Sequence, residues 1–407
     1  MNNKRRSLVK NNAFQSIVAS LICIVLGLVL GFIVLLIIKP SGAVGGITAL
    51  LRSYFKYQDA KHVLELFTQT MVKAVPLIMC SLSILFCYKV GLFNIGAAGQ
   101  YCIGIGIAIY AAIAWKLPWW LCMLMALAGG AILGCIVGLL KAYRNVNEVI
   151  SGIMLNWMSL YVVNIMLKTV KQPNISETRN IPFNSRIPSL GLDKLLGNKY
   201  ASIAIPLVIV IAVGIYILLE KTRFGYELKA TGFNKHAAKY AGMAEKRNII
   251  VTLAIGGALA GLGAAMFYLT NFQHWETEAA TVPAMGFNGI AAAFLGGLNP
   301  IGCIFSSFFI QHITEGGAYI DNMTYAPQMS DLIFAIIIYL CSFVLFIKSV
   351  MNRSMAKNEK KRAALAGIDS VPGTGAALVA DPPSDPDASA DEPETPPLSE
   401  DGKGGDE

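Results

Sequence analysis

The chain has 407 residues, of which 55% are hydrophobic and 14% are charged, and its net charge is +8. Because a soluble domain carries about 25% charged residues, this composition excludes an ordinary soluble protein and indicates a membrane protein. The basic residues lie in loops between apolar segments, where membrane topology accounts for them, so the positive charge does not indicate a nucleic-acid partner. Eight cysteines lie within the apolar segments without a CxxC pair, which is typical of small buried side chains rather than of disulfides or metal ligands.

Apolar segments long enough to form membrane helices follow one another along the chain. About 20 apolar residues in a helix cross the hydrocarbon core of a bilayer. The strongest candidates cover residues 16–38, 72–90, 101–115, 119–140, 146–167, 201–219, 249–270 and 332–347. Two weaker segments, residues 285–298 and 301–313, are short and interrupted by glycine. Together they predict an all-α polytopic membrane protein with about ten transmembrane helices.

The basic loops predict the orientation of these helices. Lysines and arginines cluster before the first span, so we expect residues 1–15 to be cytoplasmic. Six crossings later, the loop over residues 220–248 is rich in basic residues on the same side, and four more crossings lead to the basic stretch KSVMNRSMAKNEKKR. These three regions predict one transmembrane domain, residues 16–348, with both termini in the cytoplasm.

The C-terminal residues 349–407 differ in composition from the rest of the chain. After Arg362 the sequence holds 11 of the 25 acidic residues and a single lysine, and it is rich in proline and serine. Such a segment buries too little apolar surface to offset the conformational entropy lost on folding. We therefore expect a disordered, acidic cytoplasmic tail.

Two polar, glycine-rich stretches interrupt the apolar pattern at membrane depth. One, GLFNIGAAGQ, carries Asn94 and Gln100, and the other, AMGFNGIAAAFLGGLNP, carries Phe287 and Asn288. Irregular backbone persists in a membrane only where protein or a water-filled cavity satisfies its hydrogen bonds. The two stretches follow crossings in opposite directions, which predicts an inverted pseudo-repeat with a substrate path at its interface. The alternative is that the glycines and asparagines serve only helix packing.

A third polar group lies in NVNEVISGIMLNWMSLY. Glu148 is expected near the cytoplasmic mouth of the path, and Asn156, two helical turns further on, can share its helix face. Trp157 can form an apolar or stacking wall for a planar solute, although an aromatic side chain that faces lipid or packs between helices explains it equally well. These three residues join the two polar stretches as candidates for the path.

The source of energy is not evident within this chain. The sequence has no nucleotide-binding GxxxxGK[ST] motif, since its one Gly-Lys pair, at position 402, is followed by glycine. His312 and Glu315 are the one candidate pair for a proton relay. Transport would therefore draw on a partner protein or on a gradient. The loop sequence TRFGYELKATGFNKHAAKYAGMAEKR, which we expect to contain helix, has small residues that suit close docking to such a partner, with a solvated basic loop as the alternative.

Four regions together resemble one protein family. They are GLFNIGAAGQ, then NEVISGIMLNW, then TRFGYELKATGFNKHAAKYAGM followed by GGALAGLGAA, and finally GFNGIAAAFLGGLNPIG. Their order and spacing resemble bacterial ABC-importer permeases of the ribose and branched-chain amino acid type, and most of all the simple-sugar and nucleoside subgroup. The resemblance covers roughly residues 70–348 and implies a type II ABC importer-like permease in the bacterial plasma membrane.

The resemblance also implies partners and a division of labour. The chain would be a transport subunit and not an enzyme, with ATP and Mg²⁺ bound by a separate ABC ATPase subunit. A second permease, commonly a different chain, would complete the path for a small polar solute delivered by an extracytoplasmic binding protein or lipoprotein. The loop residues that match the family's ATPase contacts are Gly232, Asn234, Ala237, Ala238 and Gly242.

Nucleosides are the substrates that this resemblance favours, and simple sugars are the alternative. A self-sufficient secondary carrier is the alternative mechanism, and a purely structural membrane scaffold would have no need of two matching polar breaks. One residue departs from the family pattern, because relatives often carry an acidic residue at the position of Ala98.

Overall fold

The computed structural model describes residues 12–56, 59–173, 175–319, 325, 329–341, 343–344, 346–350, 352–354 and 357. Within them the regular structure consists of helices and two isolated β-bridges. The α-helices are α1 (Asn12–Ile38), α2 (Ala43–Arg52), α3 (Ala60–Lys89), α4 (Ala97–Ile113), α5 (Trp119–Arg144), α6 (Glu148–Leu167), α7 (Leu192–Leu195), α8 (Ala204–Lys221), α9 (Arg223–Phe233), α10 (Lys235–Tyr240), α11 (Glu245–Tyr268), α12 (Met285–Leu295), α13 (Pro300–Gly316) and α14 (Met329–Cys341).

Each predicted span coincides with a helix, but the helices differ in length. In the described part of the chain, six are long and apolar enough to cross a membrane, namely α1, α3, α5, α6, α8 and α11. The remaining predicted spans correspond to α4, α12, α13 and α14, which have 11 to 17 residues. Ten crossings and an inverted pseudo-repeat thus stay predictions, while the all-helical membrane architecture is confirmed.

The largest difference from the predicted spans is at α3. This helix begins at Ala60, well before the predicted start at residue 72, because the polar residues from Thr68 to Lys73 continue the helix instead of ending it. The short helix α2 was not expected from the sequence. The 220–248 loop contains α9 and α10, which confirms the helix expected there.

The core is built around α3, the most buried of the six long helices. Beside it, α5 and α11 pack closely through glycines, since a Cβ atom at Gly130 or Gly257 would overlap the backbone of the facing helix. Gly104 of α4 likewise faces Gly261 of α11, where an added Cβ atom would lie 2.6 Å from the Gly261 Cα. Such small-residue contacts let membrane helices approach closely without a hydrophobic driving force between them.

One end of the bundle is covered by the segments around residues 168–200 and 270–284. They are joined by a β-bridge between Glu177 and Glu276. The buried indole of Trp275 donates a hydrogen bond to Asn164 Oδ1 of α6 at 2.9 Å. The helices α9 and α10 lie beyond the opposite ends of α3 and α8, so the two loop regions occupy opposite faces of the membrane domain.

The two predicted terminal segments are almost entirely outside the described residues. Residues 1–11 and nearly all of 349–407 are not described, so the cytoplasmic N-terminus and the disordered tail stay predictions. The described helices belong to one compact unit that ends at Arg353.

Candidate functional site

The first polar stretch forms a break between two helices inside the protein. We call residues 90–100 the junction. It follows the end of α3 at Lys89 and leads into α4, and it turns at Gly91, whose φ of +74° is readily adopted only by glycine. Asn94 within this break is buried. The irregular backbone is therefore shielded by protein, as membrane depth requires.

The two amide side chains of the junction pair with each other. Asn94 Nδ2 donates to Gln100 Oε1 at 2.8 Å, and Gln100 Nε2 donates to Asn94 Oδ1 at 3.2 Å. Asn94 Nδ2 also lies 3.1 Å from Ser83 Oγ of α3. Both amides are almost completely buried, so their polar groups hold the break in shape in this conformation.

Asn156 of α6 fixes the start of α4 from outside the junction. Its Oδ1 accepts a hydrogen bond from the Gly99 N–H at 2.7 Å, and its Nδ2 donates to the Ile95 carbonyl at 3.1 Å. The Gly99 N–H is one of the first four of α4, which have no carbonyl partner within their own helix. Glycine at 99 is required for this contact, because a Cβ atom there would lie 2.7 Å from the Asn156 Cα.

The second polar stretch meets the first. A Cβ atom added at Gly286, in the first turn of α12, would lie 2.7 Å from the Ala98 Cβ of α4. Ala98, at the position where the family pattern has an acidic residue, is fully buried where the two stretches pack tightly together. Asn288 is half-buried in α12, whereas Phe287 is 43% exposed.

Trp157 follows Asn156 in α6 but lies on the exposed face of the helix. Its side chain is 45% exposed. The same exposed face carries Met154, Met158 and Tyr161, which follow a helical period of three and four residues. Met154 and Met158 were not predicted from the sequence, although this spacing of large apolar residues is a signal that could have found them. At the beginning of α6, the carboxylate of Glu148 forms an ion pair of 2.9 Å with Lys141.

The structure thus places the predicted path residues in three environments. Asn94, Gln100 and Asn156 come together in the buried network of the junction. Trp157 and Phe287 lie on exposed surface, whereas Asn288 and Glu148, which is paired with Lys141, are half-buried. Contact of any of these side chains with a solute stays a prediction.

The loop over residues 220–248, which is predicted to couple the permease to the ATPase, packs directly against the junction. Gly232 in the last turn of α9 packs against the backbone of Val90 and Gly91, and a Cβ atom at Gly232 would lie 2.8 Å from the Gly91 nitrogen. The same helix is tied to α11, because the buried Asn248 Nδ2 donates to Thr231 Oγ1 at 2.9 Å. Gly232 therefore makes contacts within this chain, in addition to any that it makes with a partner.

The other predicted loop residues have different environments. Asn234 caps α10, since its Oδ1 accepts a hydrogen bond from the Ala237 N–H at 3.0 Å. Within α10, Ala238 is buried and Ala237 is exposed. Gly242, after the end of α10, is exposed and has a φ of +80°. Of the two glycines, it is thus Gly242 that leaves its surface open to a partner.

Exposed aromatic side chains in this loop were not selected from the sequence. Phe233 is 82% exposed and Tyr240 is 94% exposed, on either side of the short helix α10. Next to them, Arg223 and Tyr226 of α9 and the segment 241–244 line a groove of about 760 Å³. Large exposed aromatic residues in an otherwise polar loop are typical of protein interaction sites, and their presence in the basic loop is the signal that could have found them.

The candidate relay pair His312 and Glu315 is not joined directly in the described structure. The Glu315 carboxylate accepts from Lys73 Nζ of α3 at 2.6 Å and from Gln311 Nε2 at 3.1 Å. His312 Nε2 instead lies 3.1 Å from the Leu51 carbonyl. Glu315 therefore has a structural role in binding α13 to α3.

Comparisons with known proteins identify the family of this chain. The model of the family described as "Branched-chain amino acid transport system / permease component" matches residues 66–342. The guanosine ABC transporter permease protein NupP of Bacillus subtilis is 32% identical over 342 residues, which cover 83% of this chain and 96% of that protein. The nucleoside ABC transporter permease protein NupB of Lactococcus lactis is 30% identical over 363 residues, or 85% of this chain and 96% of the relative.

A less similar relative is named for a different solute. The glucose ABC transporter permease protein TsgB13 of Haloferax volcanii is 29% identical over 289 residues, which cover 67% of this chain and 74% of that protein. No solved structure matches the chain.

Proposed function

Because this chain belongs to the family of permease components of branched-chain amino acid transport systems, whose members are transport subunits and not enzymes, we propose that it is the membrane subunit of an ATP-driven nucleoside importer. The observation that carries the substrate is the similarity to two permeases named for guanosine and for nucleosides, along 96% of the length of each. The family description itself names branched-chain amino acids, so the proposal of a nucleoside rests on the relatives and on the chemistry of the proposed path.

The exposed face of α6 supports a planar, uncharged solute. Trp157 and Tyr161 offer aromatic surface on which a nucleobase can stack, with Met154 and Met158 as adaptable apolar neighbours. In the proposed assembly this face lines the path opposite a second permease, which would be a different chain. Simple sugars are the second candidate, since one relative is named for glucose and sugars also stack on aromatic rings.

ATP would act through the loop that carries α9 and α10. ATP and Mg²⁺ bind the separate ATPase subunit, and the exposed Phe233 and Tyr240 would anchor that subunit at the cytoplasmic face. Movement of α9 would then reach the junction through the contact of Gly232 with Val90 and Gly91. A shift between outward- and inward-open states requires that the partner binds the two states with different affinity.

An extracytoplasmic binding protein or lipoprotein would dock at the opposite end of the bundle. Three large apolar side chains are strongly exposed there, namely Phe183, Leu190 and Leu195. They lie in the 168–200 segment, at the end of the bundle away from α9 and α10, and their exposure supports a second docking site.

Uptake of labelled solutes tests the proposed function. Cells without this chain are compared with cells that regain it, using uridine, guanosine, ribose, glucose and leucine. We expect deletion to abolish uptake of a nucleoside, and re-expression to restore it only when an active ATPase subunit is present. Loss of ribose or glucose uptake instead would favour the sugar alternative, and loss of leucine uptake the amino acid one. Restoration without any ATPase would establish the secondary carrier and overturn the proposal.

The anchoring role of the exposed loop aromatics gives a further prediction. In the double variant Phe233→Asp/Tyr240→Asp, two apolar contacts to the ATPase are replaced by charges, and loss of interface anchors of about 2 kcal/mol each weakens binding by several hundredfold. The ATPase subunit should no longer copurify with the permease, and uptake should fall to background. Phe233→Leu/Tyr240→Phe, which keeps apolar surface, is the matched control and should retain both properties. Unchanged copurification of the Asp variant would exclude these residues as anchors.

A further inference from the structure

The segment that leads into α12 is irregular and open. We call residues 279–284 the strap. It contains no helical residue, and it connects the segment around Trp275 to the first turn of α12. Ala280 and Thr281 in the strap are exposed. Three of its residues are alanines, whose short side chains leave the backbone accessible.

The backbone of the strap has unused hydrogen-bonding groups. Its first carbonyl, that of Ala279, accepts a hydrogen bond from Asn164 Nδ2 at 2.9 Å. Beyond it, neither the N–H nor the carbonyl group of Ala280, Thr281 and Val282 forms a hydrogen bond with any residue that the structure describes. The hydroxyl group of Thr281 likewise forms none within the described chain. Because such groups are costly to leave unpaired away from water, water or a bound molecule has to satisfy them.

The helices beside the strap place it inside the membrane domain. At one end it is bound to Asn164, and beyond its other end Gly286 packs against Ala98 at the start of α4. The next residue, Gly99, is bound to Asn156 of α6. Asn164 lies about two turns beyond Asn156 on that helix, so the strap descends about 12 Å within the bundle. Irregular backbone at such a depth occurs only where protein buries it or where it lines a water-filled cavity.

The strap begins on the same face of α6 as the exposed aromatic side chains. Asn164 follows Trp157 by two turns, so these two side chains leave the helix within about 20° of each other. Trp157 and Tyr161 are exposed, whereas Asn164 is buried, because it is bound to both Trp275 and Ala279. The aromatic face of α6 and the open backbone of the strap therefore adjoin each other.

We propose that the strap is a solute-binding subsite of the transport path, in which the backbone of residues 280–282 and the Thr281 hydroxyl hydrogen-bond to a neutral polar solute. This inference rests on the proposed function, because it assigns a role within the same path. A nucleoside suits the subsite, since its base can stack on Trp157 or Tyr161 while its ribose hydroxyls, which both donate and accept, reach the strap. The strap carries no charged side chain, in keeping with an uncharged solute.

Thiol labelling tests whether the strap faces water in the assembled importer. Cells that express the complete importer with Thr281→Cys are treated with a membrane-impermeant methanethiosulfonate. We expect this cysteine to react at least about tenfold faster than the described native cysteines, which are buried or half-buried and stay as unreactive thiols. The attached group should then abolish solute uptake, because it fills the subsite. Ala280→Cys, at the neighbouring exposed position, is a second test of the same expectation.

Two control positions separate the subsite from other exposed surface. Ile132→Cys, on the exposed apolar side of α5, should not react, since a thiol that faces lipid is not ionised. Thr169→Cys, exposed just beyond the end of α6, should react without loss of uptake. An unreactive strap, as expected if the second permease buries it, would overturn the proposal, and so would modification of the strap with normal uptake.

A photoreactive guanosine analogue tests the chemistry of the solute on the wild-type chain, so that this arm does not depend on any variant. During transport, crosslinks should map to residues 280–283, and excess guanosine should suppress them whereas leucine should not. Crosslinks confined to other segments would overturn the proposal. The labelling result does not depend on which solute is carried. Loss of uptake on modification of the strap, in an importer that carries no nucleoside, would therefore keep the strap in the path and overturn the proposed nucleoside instead.

Discussion

The Gly232→Ala variant is expected to lose about nine-tenths or more of solute uptake, although alanine is the better helix former by about 1 kcal/mol. The added Cβ atom would overlap the carbonyl of Val90 and lie 2.8 Å from the Gly91 nitrogen, both of them backbone atoms that cannot rotate away. Either α9 or the junction must therefore move, and the route from the ATPase to the path is distorted. Initial rates of labelled nucleoside uptake, normalised to the amount of permease in the membrane, measure the effect.

Gly214→Ala is the matched control for this prediction. Gly214 lies within α8, and a Cβ atom there would have nothing within 4 Å. The control should keep normal uptake. Normal uptake of Gly232→Ala as well would show that the contact between α9 and the junction does not transmit the action of ATP. A bulky residue at Gly232 would not identify an ATPase contact, because it would fail through this internal packing alone.

Asn156→Leu is expected to reduce both the stability of the permease and its uptake. Leucine has the same number of side-chain heavy atoms as asparagine, branched at Cγ, but leaves the Gly99 N–H and the Ile95 carbonyl without their partner. An unsatisfied buried group costs about 1–3 kcal/mol, so two of them cost about 2–6 kcal/mol. Thermal unfolding of the purified chain in detergent, followed by the change in tryptophan fluorescence, should begin at a lower temperature.

The adjacent variant Trp157→Leu distinguishes an effect on the proposed solute path from an effect on the stability of the permease. Trp157 is on the exposed face of α6, so its replacement should change stability by no more than about 0.5 kcal/mol. Loss of a stacking surface for a nucleobase, worth about 0.5–1.5 kcal/mol, should lower uptake about two- to tenfold. Unaltered uptake in Trp157→Leu would remove this face from the proposed path. Unaltered stability in Asn156→Leu would show that the cap on α4 is dispensable.

The helices were largely predictable from the sequence because their apolar runs are long. The segments at 119–140 and 249–270 differ from α5 and α11 by only a few residues at their ends. The start of α3 was not predictable in this way, since hydropathy reports the cost of placing a residue in lipid and not the ability of a polar run to stay helical. Thr68 and Lys73 find partners on other elements, Thr68 at the Leu196 carbonyl and Lys73 at Glu315.

The polar residues of the site were predictable, but their arrangement was not. An asparagine or glutamine in an apolar segment forms hydrogen bonds either within the protein or with water. For Asn94 and Gln100, the sequence does not indicate which of these two occurs. The mutual pairing of these two amides depends on the non-helical segment before Ala97, which places Asn94 beside Gln100 in the first turn of α4. Asn156 and Trp157 are neighbours in sequence, yet the helical step of 100° per residue sends one into the core and the other to the surface.

The glycine contact between α5 and α11 has a mechanical consequence. Along this seam the two backbones touch, with no side chains between them that could change rotamer to absorb a displacement. Sliding one helix past the other would push carbonyl groups against Cα atoms, so we expect α5 and α11 to move together as one rigid body. In the proposed transport cycle, we therefore expect the backbone changes to occur in the segments that flank α5 and α11 and not between these two helices.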